Sequence, residues 1–307
     1  WGKARSTTYD HFLQDTVRGI TNVLRSNTDG VEAADGAVTS TTSTGFVVGP
    51  VSLSNNASQT YVAWAWDAGT STVSNTDGSI TSTVRANPSA GFSIVTYTGN
   101  GTNGATIGHG LNTTPDMIIV KNRDTAGEEW TVYHESIGNN YILKLNKDEG
   151  KNPGQWNGTS PTSSVFTVSS LGDVNGNGQD MVAYCFSAVK GYSAAGTYVG
   201  NGVGGDGTFV ALDFAPAFVM LKRQDGDGNW VIWDSKRPGY NLNNLPLYPN
   251  LIDRDGSGYR VVDLLSNGFK LRDPGGVPLS LQDTNQLGAN YVYFAVAENP
   301  FRTARAR

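Results

Sequence analysis

The sequence predicts an all-β protein of tandem antiparallel β-sandwiches, jelly-roll or concanavalin-like, in three copies of which the first is truncated. Three observations predict it. Thr96-Tyr97-Thr98-Gly99-Asn100-Gly101 recurs as Thr197-Tyr198-Val199-Gly200-Asn201-Gly202, and residues 115–121 recur as 216–222, both pairs 101 residues apart. The runs Tyr61-Val62-Ala63-Trp64-Ala65-Trp66, Met181-Val182-Ala183-Tyr184-Cys185-Phe186 and Tyr291-Val292-Tyr293-Phe294-Ala295-Val296 match one another. The step from lysine to the phenylalanine of the penultimate strand is 43 residues from Lys3 to Phe46, 45 from Lys121 to Phe166 and 47 from Lys222 to Phe269. Chance does not hold that register, and length differences of this kind belong to surface loops.

The copies divide the chain into a truncated first repeat at 1–87, a second at 88–190 and a third at 191–307. The first starts at its lysine strand and lacks the strands that open the others. Sheet edges left open in this way recruit other chains. The sequence therefore reads as a fragment of a longer polypeptide, with completion by a neighbour as the alternative.

Taken in order, the stretch from Tyr9 through Phe12, Leu13, Val17, Ile20, Val23 and Leu24 has near-helical apolar spacing. Gly19 and the match of residues 19–27 to 138–146 favour two strands with a turn at Arg18-Gly19. Ile118-Ile119-Val120 and Phe218-Val219-Met220-Leu221 read as buried strands, with Asp225-Gly226-Asp227-Gly228-Asn229 as a hairpin loop. In the aromatic runs large side chains alternate with Ala63, Ala65, Ala183, Cys185 and Ala295. Alternate residues share a face, so these strands are central: a second sheet covers the bulky side and the small side is closely approached.

Composition narrows the partners. The 38 glycines lie among turn-forming residues, as many short strands require. With 22 Lys and Arg against 27 Asp and Glu and no basic stripe, nucleic acid is not an expected partner. No apolar run is long enough for membrane insertion. The single cysteine, Cys185, sits inside a strand as a buried thiol.

Several motifs invite chemistry. Gly99-Gly101-Gly104 and Gly200-Gly202-Gly205 fit G-x-G-x-x-G, but no helix pattern follows to meet a pyrophosphate, so they read as turns. Asp253-Arg254-Asp255-Gly256-Ser257-Gly258 and Asp173-Val174-Asn175-Gly176-Asn177-Gly178 copy half of an EF-hand loop. Position twelve falls on Leu264 and Tyr184 in place of the bidentate glutamate, which leaves Asp253 and Asp255 as candidate calcium ligands and no other cofactor. His11, His109 and His134 have no nucleophile motif beside them. His134-Glu135 suggests a glycosidase carboxylate, but the other copies place Gln14-Asp15 and Trp233-Asp234 there, so no catalytic residue is assigned. Sugar binding suits aromatics off the core pattern, and Trp156, Tyr240 and Tyr248 are the candidates, each with an alternative reading as a loop anchor.

Gly91-Phe92-Ser93-Ile94-Val95-Thr96-Tyr97-Thr98-Gly99-Asn100-Gly101, Ile107-Gly108-His109-Gly110-Leu111, residues 115–121, Trp130-Thr131-Val132-Tyr133-His134 and Ala297-Glu298-Asn299-Pro300-Phe301 resemble a domain family common in marine and cyanobacterial tailed-phage virion proteins. Lys3 to Arg5, Asp15-Thr16-Val17-Arg18-Gly19, Gly45-Phe46 and residues 61–66 are similar to a concanavalin-like module that often precedes it. The resemblance implies a non-enzymatic tail-fibre, tail-associated or capsid-surface protein, placed on the virion surface or extracellularly. Its expected partners are other virion proteins, further copies of itself with a trimer as first guess, and a host surface glycan. A secreted carbohydrate-binding or glycan-degrading protein, and a purely architectural capsid decoration, are the alternatives.

Overall fold

Large and small residues alternate along the aromatic strands at residues 180–186 and 290–297, and both faces of each find cover. The computed structural model describes residues 1–256, 260–272 and 281–298. The first unit holds β1 (Gly2–Ala4), β2 (Val38–Thr41), β3 (Phe46–Val48), the single helical turn α1 (Ser52–Asn55) and β4 (Tyr61–Ala63). A hairpin of β5 (Thr72–Asn75) and β6 (Ser82–Asn87) follows. The second unit contains β7 (Phe92–Thr98), β8 (Ala105–Gly108), β9 (Met117–Asn122), β10 (Thr131–His134), β11 (Tyr141–Lys144), β12 (Asn152–Pro153), β13 (Val165–Val168), α2 (Gly172–Asn175) and β14 (Asp180–Phe186). The third contains β15 (Ser193–Val199), β16 (Phe209–Ala211), β17 (Pro216–Arg223), β18 (Val231–Asp234), β19 (Val262–Leu265), β20 (Gly268–Leu271) and β21 (Asn290–Ala297).

The second and third units share one topology. In the second, the order β10-β9-β14-β7 is faced by β13-β8; in the third, β18-β17-β21-β15 is faced by β19-β20-β16. Among the described residues the first unit has the pairs β1-β4 and β2-β3. Registers agree across all three, with Lys3 opposite Val62, Lys121 opposite Val182 and Lys222 opposite Val292. Although residues 72–87 fall before the boundary drawn at 87, β6 pairs along β7 and extends the second unit's sheet. Residues 9–24 form no helix: Leu13 bridges Leu24, and Gly19 turns the chain at φ +102°. The residue alignment with 138–146, more than apolar spacing, marks that region as β.

One expectation is reversed. The small faces of β14 and β21, with Ala183, Cys185 and Ala295, lie inside the second and third sandwiches. The bulky faces, with Tyr184, Phe186 and Phe294, turn the other way into a core shared by all three units, where they meet Leu13, Trp130 and Trp230, with Trp64 and Trp66 packed against them. A small face lets the sandwich partner approach closely, while the space between units takes large rings.

Candidate functional site

The same bonds join each unit to the next. Glu32 N–H donates to Arg123 O at 2.9 Å, Lys151 N–H to Gln224 O at 2.8 Å, and Asp255 N–H to Arg5 O at 2.8 Å, so the third unit closes onto the first. Trp130 Nε1 donates to Arg25 O and Trp230 Nε1 to Lys144 O; at the corresponding place the His11 ring lies by the Tyr248 backbone, its Nε2 making no full hydrogen bond among the described residues. The chain is a closed, pseudo-threefold ring.

Its three interfaces use two chemistries. Between the first and second units, Tyr184 Oη donates to Asp15 at 2.8 Å, Asp15 accepts from Arg18 Nε at 2.5 Å, Arg18 pairs with Glu32, and Glu32 pairs with Arg123. Between the third and first, Trp64 Nε1 donates to Asp234, Asp234 pairs with Arg237, and Asp255 bridges Arg237 and Arg5. Between the second and third, these places hold His134, Ile137, Lys151, Gln224 and Phe294. Phe294 carries no donor for a carboxylate, and His134 Nε2 instead bonds the carbonyl of Tyr293 at 3.1 Å.

Burial sets the titration of these groups. It pushes the Asp15 carboxyl up, but the Arg18 guanidinium and the hydrogen bonds around it prevail and hold the group below its ordinary value. Burial lowers His134 to about 4. Lys3, Lys121 and Lys222 are fully buried, and desolvation lowers them to about 8, about 8 and about 7, partly offset by nearby carboxylates. Each donates to the carbonyl of the residue after it, and Lys121 and Lys222 also reach Asp29 O and Asp148 O of the preceding unit. These lysines tie the ends of their own strands to neighbouring loops.

The histidine register shifts by one from the sequence alignment. Asp15, His134 and Asp234 each accept from the N–H two residues on. His134, and not Glu135, therefore aligns with the two aspartates. Glu135 is exposed and its carboxyl is raised, chiefly by a hydrogen bond with Asp116.

Trp156 requires correction as a sugar platform. It is 1 % exposed and packs edge-on against Tyr133 at 5.6 Å between ring centres inside the second sandwich, out of reach of a sugar face. Tyr240 is 80 % exposed. Tyr248 is half-buried, with the Arg260 guanidinium 6.0 Å from its ring. The structure does not gather the three at one site. Asp253 is exposed, whereas both Asp255 oxygens accept from arginines, at 2.8 Å from Arg5 and 2.6 Å from Arg237. Ser257 and Gly258 of that motif, and residues 299–301 of the closing run, lie outside the described residues. No group of three metal-ligating side chains gathers among the described residues, and no helix among them is long and apolar enough to cross a membrane.

The concavity that stands out, about 450 Å³, lies where the three units meet, lined by Phe46, Trp64 and Trp66 of the first, Phe92 and Phe186 of the second and Phe218 and Phe294 of the third, among others. The sequence reading missed it, along with Arg18 and Arg237. The available signal for the two arginines was the repeated Asp-x-x-Arg at Asp15-Arg18 and Asp234-Arg237.

Residues 1–300 match the model of a family described as a domain of unknown function, DUF7483. The chain belongs to the DUF7483 family. No curated protein and no solved structure matches it. For this DUF7483 chain the ring geometry therefore carries the functional reading.

Proposed function

We propose that this DUF7483 chain is a non-enzymatic structural component of a phage particle, a tail-fibre or surface-appendage module that contributes to attachment to a host-surface glycan. The observation that carries the structural part is the closed ring. Its buried Lys, Arg, Asp and His side chains are engaged in joining strands and units, which suits a rigid spacer more than a reactive pocket. It assembles with other virion proteins and with further copies of itself, a trimer being the arrangement to test first. The particle assignment itself rests on the resemblance of residues 91–101, 107–111 and 115–121. Tyr240 beside the exposed Leu242 favours the loop after β18 as the glycan-facing surface.

Immunogold labelling of particles with antibody to the purified chain, paired with a glycan array, tests this reading. Labelled tail or surface appendages and array binding that falls at least tenfold in Tyr240→Ala are expected. Labelling without glycan binding would leave an architectural decoration. Absence from particles together with glycan hydrolysis lost in Glu135→Gln would replace the proposal with an enzyme.

A further inference from the structure

The second and third units differ at one edge. In the second, the hairpin of β5 and β6 closes it: β6 pairs along β7 from Ser82 opposite Tyr97 to Asn87 opposite Phe92, and Ile80 in the turn bridges Ile107 of the facing sheet. Ile80 N–H donates to Thr106 O at 3.0 Å, while Ser79 N–H donates to the Thr106 hydroxyl at 2.8 Å and Thr106 N–H to the Ser79 hydroxyl at 2.9 Å. The sheet of the third unit stops at β15, where that of the second continues from β7 into β6 and β5. Residues 187–192 alone link β14 to β15, too short a stretch to supply such a hairpin.

The backbone groups left open there can be named. Ala297 N–H donates to Tyr192 O and Gly200 N–H to Ala289 O, and alternation along an antiparallel strand then turns the N–H and C=O groups of Ala195 and Thr197 away from β21. Their counterparts Ile94 and Thr96 sit opposite Arg85 and Thr83 of β6. In the facing sheet Leu271 N–H donates to Thr208 O and Leu212 N–H to Asn267 O, so Phe209 and Ala211 of β16 turn their backbone groups outward, as Thr106 does. None of these groups has a partner among the described residues. The edge also lacks the usual protection, since neither Ser193–Val199 nor Phe209–Ala211 contains a charge or a proline. Its side chains are apolar where those of the second unit are polar: Thr98, Thr102, Thr106 and Asn177 correspond to Val199, Val203, Phe209 and Leu287, all four exposed.

We infer that the outer edge of the third unit, β15 together with β16, is a docking site for a β-hairpin supplied by another protein. The second unit displays such an occupant in place: one strand antiparallel to β7, and a turn that reaches across to the facing sheet. Main-chain bonds to Ala195, Thr197 and Phe209 hold the incoming hairpin, and side chains select it. Where Ser79 exchanges bonds with Thr106, the occupant carries an apolar residue, because Phe209 has no hydroxyl to offer and exposes a ring. A hairpin meets both sheets at once, as residues 79–87 do, whereas β15 of a second copy would bring a single strand.

The test adds two labelled synthetic peptides to the full chain, at concentrations up to millimolar: one with the sequence of residues 72–87, the other with the same sequence carrying Ser79→Leu. Saturable one-to-one binding of the second is expected, with slowed hydrogen exchange at the amides of Ala195, Thr197, Phe209 and Ala211 and unchanged exchange at those of Ile94 and Thr96. It should bind about tenfold more tightly than the first, the scale of one newly buried leucine side chain. Phe209→Thr in the protein should abolish that preference, and because Phe209 is exposed the melting temperature of the parent confirms that this variant is folded. The inference is overturned by an absence of saturable binding, by unchanged exchange at the four edge amides, by equal affinity for the two peptides, or by a preference that survives Phe209→Thr. It is equally overturned if those amides are already protected in a concentration-dependent oligomer of the chain alone, in which case a second copy holds the edge.

Discussion

Asp255 accepts from Arg5 at 2.8 Å across 250 residues of sequence, and with this pair the third unit is fastened to the first. Glu32 holds Arg123 in the same place one interface earlier, at 2.7 Å. Each carboxylate also takes a second arginine from its own unit, Arg237 or Arg18. Two interfaces thus use a buried charge chain, and the remaining one reaches the same backbone geometry with Lys151, Gln224 and Ile137. The charges accordingly set which faces meet, over a contact that packing alone can also hold.

Removing one member of such a chain should cost far more than replacing the whole chain. Arg237→Met leaves Asp234 and Asp255 buried without their main partner, for an expected loss of about 3–5 kcal/mol in denaturant unfolding. Asp234→His combined with Arg237→Ile, in imitation of His134 and Ile137, should recover at least half of that loss. A loss below about 0.5 kcal/mol for Arg237→Met alone would show that the chain contributes nothing to closure.

His134 gives the ring an acid sensitivity. Its folded value, lowered by burial to about 4, lies below the ordinary 6.5. The unfolded chain therefore takes up the proton first as pH falls, and stability is lost between about 6.5 and 4, with a slope of at most about 1.4 kcal/mol per pH unit from this group. Unfolding free energies at pH 7, 5.5 and 4.5 should fall more steeply for the parent than for His134→Gln. Parallel curves would mean that the imidazole titrates normally.

The β-strands were legible because alternation of side chains along a strand is a property of the sequence itself. Lys3, Lys121 and Lys222 align in both sequence and structure, as do residues 19–27 with 138–146. The ring was not legible, because nothing local distinguishes three sandwiches on a string from three that close. Its markers are long-range pairs such as Asp255 with Arg5. Trp156 was misread for a related reason. An aromatic in a polar loop looks exposed until Tyr133 is seen beneath it.

The three buried lysines extend the same direction of pH dependence into the alkaline range. Desolvation lowers each below 10.5, Lys222 to about 7, so the folded chain binds fewer protons than the unfolded one over this range. Stability should rise as pH increases from about 7 toward 10. Above that it should fall, because burial raises the hydroxyls of Tyr97, Tyr184 and Tyr291 and the unfolded chain loses those protons first. Melting temperatures at half-unit steps from pH 6.5 to 11 should show this alkaline maximum. A steady decline from pH 7 would place these lysines in wetter surroundings than the structure gives them.

Trp156 and Tyr240 make the sharpest contrast among the residues singled out for sugar contact. Trp156 is sealed in the second sandwich against Tyr133, so Trp156→Ala opens a cavity and should cost about 3–5 kcal/mol, as for other large core aromatics. Tyr240, 80 % exposed, has little packing to lose, and Tyr240→Ala should stay within about 0.5 kcal/mol of the parent. If the loop after β18 meets a glycan, only the second substitution should weaken array binding while leaving the melting temperature in place. If Trp156→Phe, which keeps an aromatic in the core, abolishes binding and Tyr240→Ala does not, the contact surface belongs to the second unit and the assignment to Tyr240 fails.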